Sequence, residues 1–147
     1  MLLALLCQQI SYAMEATADE ITIDSQTNVY TLIGNAVAKY KGKVFKADLI
    51  VVYKDEKEKL PEKITARGNV SFNEDGTIIT ADSCESDKKF VTFYQNVTLK
   101  NNEIGVVYAD KARYDIETKK MDVTAKNKVK VILSKDKEDE FNRKTKK

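Results

Sequence analysis

The sequence predicts an all-β protein, a ladder of roughly a dozen short antiparallel strands arranged as a sandwich or an open roll. Three observations favour this fold class. A short motif recurs along the chain, apolar and polar residues alternate with period two, and turn-forming residues separate the alternating stretches. A stack of hairpins of this kind is quasi-linear, so its terminal strands are expected to leave unpaired edges.

The repeat combines an Ala-Asp dipeptide with a corner that contains asparagine. The dipeptide occurs at Ala18-Asp19, Ala47-Asp48, Ala81-Asp82 and Ala109-Asp110. The corners are Gly34-Asn35, Gly68-Asn69, Gln95-Asn96 and Asn127, each followed within two residues by a valine. Glycine and asparagine tolerate positive φ, so each unit is interpreted as two strands with a turn between them.

Period-two alternation identifies the individual strands. Phe45, Ala47, Leu49, Val51 and Tyr53 are expected to share one face of a strand. The same parity relates residues 104 to 116, residues 121 to 125 and residues 129 to 133, while residues 91 to 93 and 97 to 99 indicate two shorter strands. β-branched and aromatic residues dominate these stretches, as pleated surfaces favour.

Breaks between the strands fall where hairpins require them. The run from Asp55 to Lys59 before Pro61 predicts a loop, and Asp75-Gly76 is a strong hairpin signal. Asn101-Asn102 and residues 117 to 119 predict two further turns. Residues 111 to 120 have apolar spacing that fits a strand better than a helix.

The two ends of the chain differ from the repeated region, which is expected to form one domain over residues 18 to 134. Residues 1 to 13 combine a short apolar run with small residues at Ser11 and Ala13, which predicts a signal peptide cleaved after Ala13 and export of the mature chain. Residues 135 to 147 are rich in charge, contribute the whole net charge of +2, and are expected to be disordered.

Composition argues against several classes of function. The chain contains no histidine, which removes the commonest general base and metal ligand, and its cysteines are Cys7 and Cys84. No glycine-rich phosphate loop is present, and the folded part carries no basic stripe of the kind that nucleic-acid binders show. The sequence therefore predicts a binding module with no catalytic residues, no metal, no cofactor and no nucleic-acid partner.

One set of stretches has a specific order and spacing along the chain, and it comprises residues 18 to 24, 32 to 37, 46 to 53, 64 to 70, 108 to 115 and 119 to 121. In that order and spacing these stretches resemble the LptA/OstA family of periplasmic lipopolysaccharide export proteins. The resemblance implies a β-jellyroll folded like a taco shell, with two sheets enclosing an apolar groove. It also implies a periplasmic protein that holds the acyl chains of lipid A and bridges the inner and outer membranes.

The resemblance further implies partners and alternatives. The implied partners are lipopolysaccharide, the inner-membrane and outer-membrane components of the export machine, and further copies stacked head to tail by their strand edges. One alternative is an LptC-like component of the same pathway, although the N-terminal residues are too short for the anchor helix of that component. A second alternative is a periplasmic β-scaffold that binds proteins by strand addition without lipid.

Apolar residues of the alternating stretches are the candidates for the lipid groove, with a closed protein core as the rival interpretation. The candidates are Val29, Val37, Phe45, Leu49, Val51, Ile64, Val70, Phe72, Ile78, Val91, Phe93, Val106, Tyr108, Tyr114 and Val123.

Charged residues allow two interpretations each. Lys39, Lys41 and Lys43 lie near the Gly42 turn and either meet lipid phosphates at a groove mouth or form a solvated hairpin tip. The repeated aspartates could suggest paired catalytic carboxylates. Their recurrence at the same place in every unit favours a structural role instead, such as bonding a turn or the amides of a neighbouring strand.

Overall fold

The computed structural model describes residues 14–57 and 61–133, and these residues form one continuous antiparallel sheet of ten strands. The strands are β1 (Glu15–Thr17), β2 (Glu20–Asp24), β3 (Val29–Tyr40), β4 (Lys43–Lys54), β5 (Pro61–Glu74), β6 (Thr77–Ser86), β7 (Phe90–Asn101), β8 (Gly105–Asp115), β9 (Met121–Thr124) and β10 (Lys130–Leu133). The predicted all-β, open antiparallel fold is confirmed. The expected signal peptide and the expected disordered tail lie outside the described residues.

Consecutive strands pair with one another, so the sheet is a simple meander. β3 to β8 follow one another as neighbours, and both sides of each are paired. β1 and β2 pair with successive parts of β3, and β9 and β10 do the same with β8. The sheet thus consists of eight lines of backbone that lie side by side, with β1 and β2 together forming the first line and β9 and β10 together forming the last. Among the described residues, the first and last lines do not pair with each other.

Tight turns connect the strands as the sequence indicates. Lys41-Gly42 and Asp75-Gly76 both have positive φ at the two central positions, which is the geometry of a type I′ hairpin turn. Asp115 closes the turn before β9 by accepting hydrogen bonds from the amides of Glu117 and Thr118 at 3.0 Å.

Three of the four corners that contain asparagine lie inside long strands, which corrects the expected hairpin units, whereas Asn127 lies between the short strands β9 and β10. β3, β5 and β7 each continue through two consecutive residues of positive φ, at Gly34-Asn35, Gly68-Asn69 and Gln95-Asn96. The pairing register shifts at every one of these corners. β-bulges of this kind bend a strand, and because they align across the sheet, the whole sheet folds over along one line.

This fold line divides the sheet into two leaves. The first leaf contains β1, β10 and residues 36–40, 43–47, 70–74, 77–81, 97–101 and 105–109. The second leaf contains β2, β9 and residues 29–33, 49–54, 61–67, 83–86, 90–94 and 111–115. The inner faces of the two leaves pack against each other and form a single hydrophobic core.

A candidate ligand-binding interior and its mouth

Aromatic rings from both leaves meet in the middle of the interior. Phe72 of the first leaf lies 5.1 Å from Phe45, 5.6 Å from Phe93 and 5.9 Å from Tyr114, measured between ring centroids. Phe93 and Tyr114 belong to the second leaf, so these contacts hold the leaves together. Phe45, Phe72 and Phe93 are fully buried, and the centre of the interior is therefore packed.

The structure places eight of the fifteen candidate groove residues on the inner faces of the leaves. They are Phe45, Ile64, Val70, Phe72, Val91, Phe93, Tyr114 and Val123. The register places the other seven on the outer face. They are Val29, Val37, Leu49, Val51, Ile78, Val106 and Tyr108.

At the Ala-Asp dipeptides of β4, β6 and β8 the inward-facing side chains change parity, from odd-numbered to even-numbered residues, and this change explains part of the correction. In β4 the inner side chains are Phe45 and Ala47 before the fold line, then Ile50 and Val52 after it. Alternation continued without interruption therefore assigns Leu49 and Val51 to the wrong face. The same change separates Val107 from Ala112 in β8.

Small residues account for further errors. In β3 the inner positions near the fold line are Ala36 and Ala38, which are fully buried, while the larger Val37 points outward. Sequence reasoning therefore missed a set of interior residues, which comprises Leu32, Ala36, Ala38, Ile50, Val52, Ala66, Ile79, Ala81, Cys84, Val97, Leu99, Val107 and Ala112. For Ile50, Val52, Cys84 and Ala112, which follow an Ala-Asp dipeptide in their strands, the signal that could have found them is the dipeptide itself, treated as the point where parity changes.

The repeated aspartates hold the corners, as the structural interpretation predicts. The carboxylate of Asp48 accepts a hydrogen bond from the side-chain amide of Asn69 at 3.0 Å. Equivalent bonds join Asp19 to Asn35 at 3.1 Å and Asp82 to Asn96 at 2.8 Å. In the fourth unit the carboxylate of Asp110 accepts a hydrogen bond from the backbone amide of Lys126 at 2.6 Å.

The two leaves face each other along a mouth formed by their outer margins. The first margin consists of the turns after β3, β5 and β7, and the second consists of the described residues of the connections after β4, β6 and β8. Lys119 of the second margin donates a hydrogen bond to the carboxylate of Glu74 on the first. Glu74 is buried, and its second carboxylate oxygen has no partner in the part of the chain that is described.

Two cavities open along this mouth, and apolar interior residues form part of the lining of each. The larger, of about 280 Å³, is lined by Tyr40, Lys41, Lys43, Phe45, Pro61, Glu62, Lys63, Ile64, Ser86, Asp87, Lys88 and Ile116. The smaller, of about 220 Å³, contains Glu74, Lys119, Leu99, Tyr114 and Met121 in its lining. Of the three lysines near the Gly42 turn, Lys41 and Lys43 line the mouth, whereas Lys39 lies on the outer face beside Val37.

Burial and the carboxylate of Glu74 both shift pKa values at the mouth. The side chain of Lys43 is only 7% exposed, and this desolvation lowers its pKa, although the nearby carboxylate of Glu74 works in the opposite direction. Burial likewise raises the pKa of the Tyr114 hydroxyl. The pKa of Lys119 is raised, chiefly by its hydrogen bond to Glu74. Charged groups in this region therefore depend on one another across the two leaves.

Interior side chains become exposed at the two open edges of the sheet. At the first edge, Ile21 and Ile23 point toward the interior side of β2 and are 42% and 61% exposed. At the last edge, Val131 and Leu133 occupy the inner side of β10 and are 51% and 66% exposed. The hydrophobic core thus continues to both ends of the roll without a cap among the described strands.

Other chemistry is sparse in residues 14–57 and 61–133. No group of three or more histidine, cysteine, aspartate or glutamate side chains within these residues is arranged to hold a metal ion. They also contain no helix with the length and hydrophobicity needed to cross a membrane. Burial raises the pKa of the Cys84 thiol to about 12, so this group is a protonated core residue near neutral pH.

These features define a class of protein: an open antiparallel β-roll with an apolar interior, a long mouth and two uncapped edges. A family model described as "LptA/(LptD N-terminal domain) LPS transport protein" matches residues 8–58. The crystal structure of LptH from Pseudomonas aeruginosa, described as the LptA-homologous periplasmic component of the lipopolysaccharide transport device, has the same fold. It aligns with a TM-score of 0.72 at 12% identity, over 82% of this chain and 94% of that one.

The family model agrees with the resemblance to the LptA/OstA family that the sequence indicates, and the solved structure shows that the fold is shared. Comparison with curated proteins gave no significant match.

Proposed function

We propose that this protein is a periplasmic lipopolysaccharide carrier that holds the acyl chains of lipid A between its two leaves. In this role it is a non-enzymatic part of the bridge along which lipopolysaccharide passes from the inner to the outer membrane. The observation that carries the proposal is an apolar interior that reaches the surface along a mouth and at both edges. The family match and the shared fold support the same function.

Binding requires the leaves to separate, because aromatic side chains fill the centre of the interior. About ten buried methylene groups would contribute roughly 8 kcal/mol, since each contributes about 0.8 kcal/mol. This contribution is large enough to offset the loss of a few aromatic contacts, each of which is worth about 0.5–1.5 kcal/mol beyond its buried area. Acyl chains would therefore replace contacts between the leaves with contacts of similar character.

Assembly with other copies and with export components would use the sheet edges. The outer sides of β1, β2, β9 and β10 are unpaired among the described residues, and exposed backbone groups at a sheet edge pair readily with another strand. Head-to-tail addition of a second copy would also cover the exposed interior residues at each edge. Such a row of copies could extend a continuous apolar interior across the periplasm.

A photo-crosslinking residue in β7 tests the carrier function. Phe93 points into the interior and is fully buried, whereas its neighbour Tyr94 points outward and is 38% exposed. We expect a crosslinker at Phe93 to capture lipopolysaccharide in cells, because acyl chains would lie against this position, and a crosslinker at Tyr94 to capture little or none. Equal lipid capture at both positions, or none at Phe93 in folded protein, would contradict the proposal.

A second candidate function is a protein-binding scaffold that acts by strand addition. The unpaired edges favour it, since they would serve a protein partner without any lipid. Crosslinkers at Ile23 and Phe93 separate the two functions. The scaffold predicts protein adducts at Ile23 with no lipid at Phe93, while the carrier predicts lipid at Phe93.

A further inference from the structure

We propose that the 280 Å³ cavity at the mouth binds the phosphate group of an anionic amphiphile, with Lys43 and Lys41 as its cationic contacts. The proposal rests on the proposed carrier function and adds to it the position and chemistry of a head-group site. Apart from their aromatic contact with Tyr40, these two lysines form no hydrogen bond or ion pair with the residues that the structure describes.

The lining of the cavity has a cationic part and an apolar part, as the binding of an amphiphile requires. Tyr40, Lys41 and Lys43 lie on the margin of the first leaf and give the cavity a cationic rim. Phe45 and Ile64 form an apolar part of the lining and belong to the core between the leaves. A molecule whose charged group lies at this rim could therefore direct its acyl chains into the interior without a break in contact.

The remaining charged residues of the lining, apart from Glu62, have partners within the protein. Lys63 pairs with Glu85 at 2.8 Å, and Lys88 lies 3.9 Å from a carboxylate oxygen of Asp55. The carboxylate of Asp87 accepts hydrogen bonds from the backbone amides of Lys89 and Phe90 at 2.7 and 2.8 Å, and these bonds hold the Asp87 side chain in the turn after β6. Glu62 is exposed at the surface. Lys41 and Lys43 are therefore the cations of the lining that have no hydrogen bond or ion pair among the described residues.

Lys43 is the central contact because it is a buried cation next to an open volume. Its side chain is 7% exposed, and of the two carboxylates that attract its charge, Glu74 is itself hydrogen-bonded to Lys119 and Asp75 has the smaller effect. Positive charges on Lys41 and Lys119 add repulsion. A desolvated ammonium is costly without a partner. A phosphate oxygen in the cavity would supply a charge-assisted hydrogen bond, the stronger class of such bonds.

Calorimetric titration with two matched lipids tests the site. The probes are dioctanoyl phosphatidic acid and dioctanoylglycerol, which share acyl chains and differ in the phosphate group. We expect the unmodified protein to bind the phosphorylated lipid about tenfold more tightly, as one charge-assisted hydrogen bond would provide. Lys43→Met should remove this preference while leaving the apolar lining in place.

Two further variants keep the test independent of folding. Lys41→Gln lies at an exposed hairpin tip and should reduce the preference without affecting the core. Lys46→Met lies on the outer face of the same strand as Lys43 and should leave the preference unchanged, as a matched loss of one charge. Thermal unfolding of each variant, followed by circular dichroism, establishes that it is folded.

The possible results separate this proposal from the carrier function. Equal affinity of the unmodified protein for both lipids would overturn the phosphate site and leave the carrier function standing. Binding of neither lipid would count against both. Inorganic phosphate serves as a third probe: Lys43-dependent binding of free phosphate, without any preference between the lipids, would also overturn the head-group proposal.

Discussion

Asp48 occupies the inside of a bend around which Gly68 and Asn69 pass, and the contact is close on both sides. Its carboxylate bonds to the side chain of Asn69, and a Cβ on Gly68 would lie 2.5 Å from the nearer oxygen. Glycine is required here for two reasons, because the φ of +79° is unfavourable for other residues and because there is no space for a methyl group.

Two glycine substitutions separate these reasons. Gly68→Ala should destabilise the protein by about 2–4 kcal/mol, since it adds a steric clash to the backbone cost. Gly42→Ala has nearly the same φ, +78°, but no atom within 4 Å of the added carbon, so it should lose only about 1 kcal/mol. Urea unfolding measures both values. Equal losses would mean that the packing of Asp48 against the corner contributes nothing.

Lys119 and Glu74 form the link between the two leaf margins, and they differ in exposure. The side chain of Lys119 is half exposed, whereas that of Glu74 is 6% exposed. Removal of the lysine would leave a buried carboxylate with a weaker set of partners, and such an uncompensated charge is destabilising.

Lys119→Met is therefore expected to lower the free energy of unfolding by about 1–3 kcal/mol. Lys120→Met, at an exposed neighbouring position, should change it by less than about 0.5 kcal/mol. Thermal or urea unfolding of the two variants gives the comparison. If both variants are as stable as the unmodified protein, the link between the margins has no role in holding the leaves together.

Among the elements, the strands that contain Ala-Asp differ from the strands that contain Gly-Asn in which side chains face the interior. In β5 the inner residues Ile64, Ala66, Val70 and Phe72 keep one parity through the corner, so simple alternation places them correctly. In β4 and β6 the parity changes at Asp48 and Asp82. The aspartate strand has one residue fewer at the fold line than the strand it bonds to, which shifts every later side chain to the other face.

The existence and order of the strands could be predicted from period-two alternation, and so could the turns at Asp75-Gly76 and residues 117 to 119. The location of the corners inside continuous strands could not, because positive φ at Gly-Asn is equally suitable for a hairpin turn and for an aligned bulge. A hairpin turn and a bulge are distinguished only by strand pairing, because a strand with a bulge stays paired to its neighbouring strand before and after the corner. The outward positions of Leu49 and Val51 are a consequence, because the parity of β4 changes at Asp48, where this strand bonds to the Gly68-Asn69 corner.

At the scale of the whole molecule, the two uncapped edges are the surfaces at which the proposed association of copies would take place. Ile23 and Leu133 are the most exposed of the large apolar side chains on the inner faces, and each belongs to an edge strand that has one paired side. Contact between the first edge of one copy and the last edge of another would bury both residues. Burial of apolar surface stabilises such a contact by about 25 cal/mol per Å².

Ile23→Asp should therefore weaken concentration-dependent association by at least about tenfold, because it would place a charge inside the contact between copies. Ile104→Asp provides the matched control, since Ile104 is 44% exposed but lies in the turn between β7 and β8, away from the edges. Sedimentation velocity over a range of concentrations measures both. Similar association of the two variants would show that the edges are not the contact surface.

The hydrogen bonds between aspartate and the following corner group the eight lines of backbone in pairs, and this pairing has a consequence for chain growth. Each pair is complete within itself, from Asp19 with Asn35 to Asp110 with Lys126. The number of lines is even, so the first and the last run in opposite directions. A junction between copies would therefore reproduce the boundary between two internal units, with antiparallel pairing and no aspartate left without its corner. Because every added copy would present the same edge again, the geometry sets no final length. Concentration, and in the proposed carrier function the export components at the two membranes, would determine where the row ends.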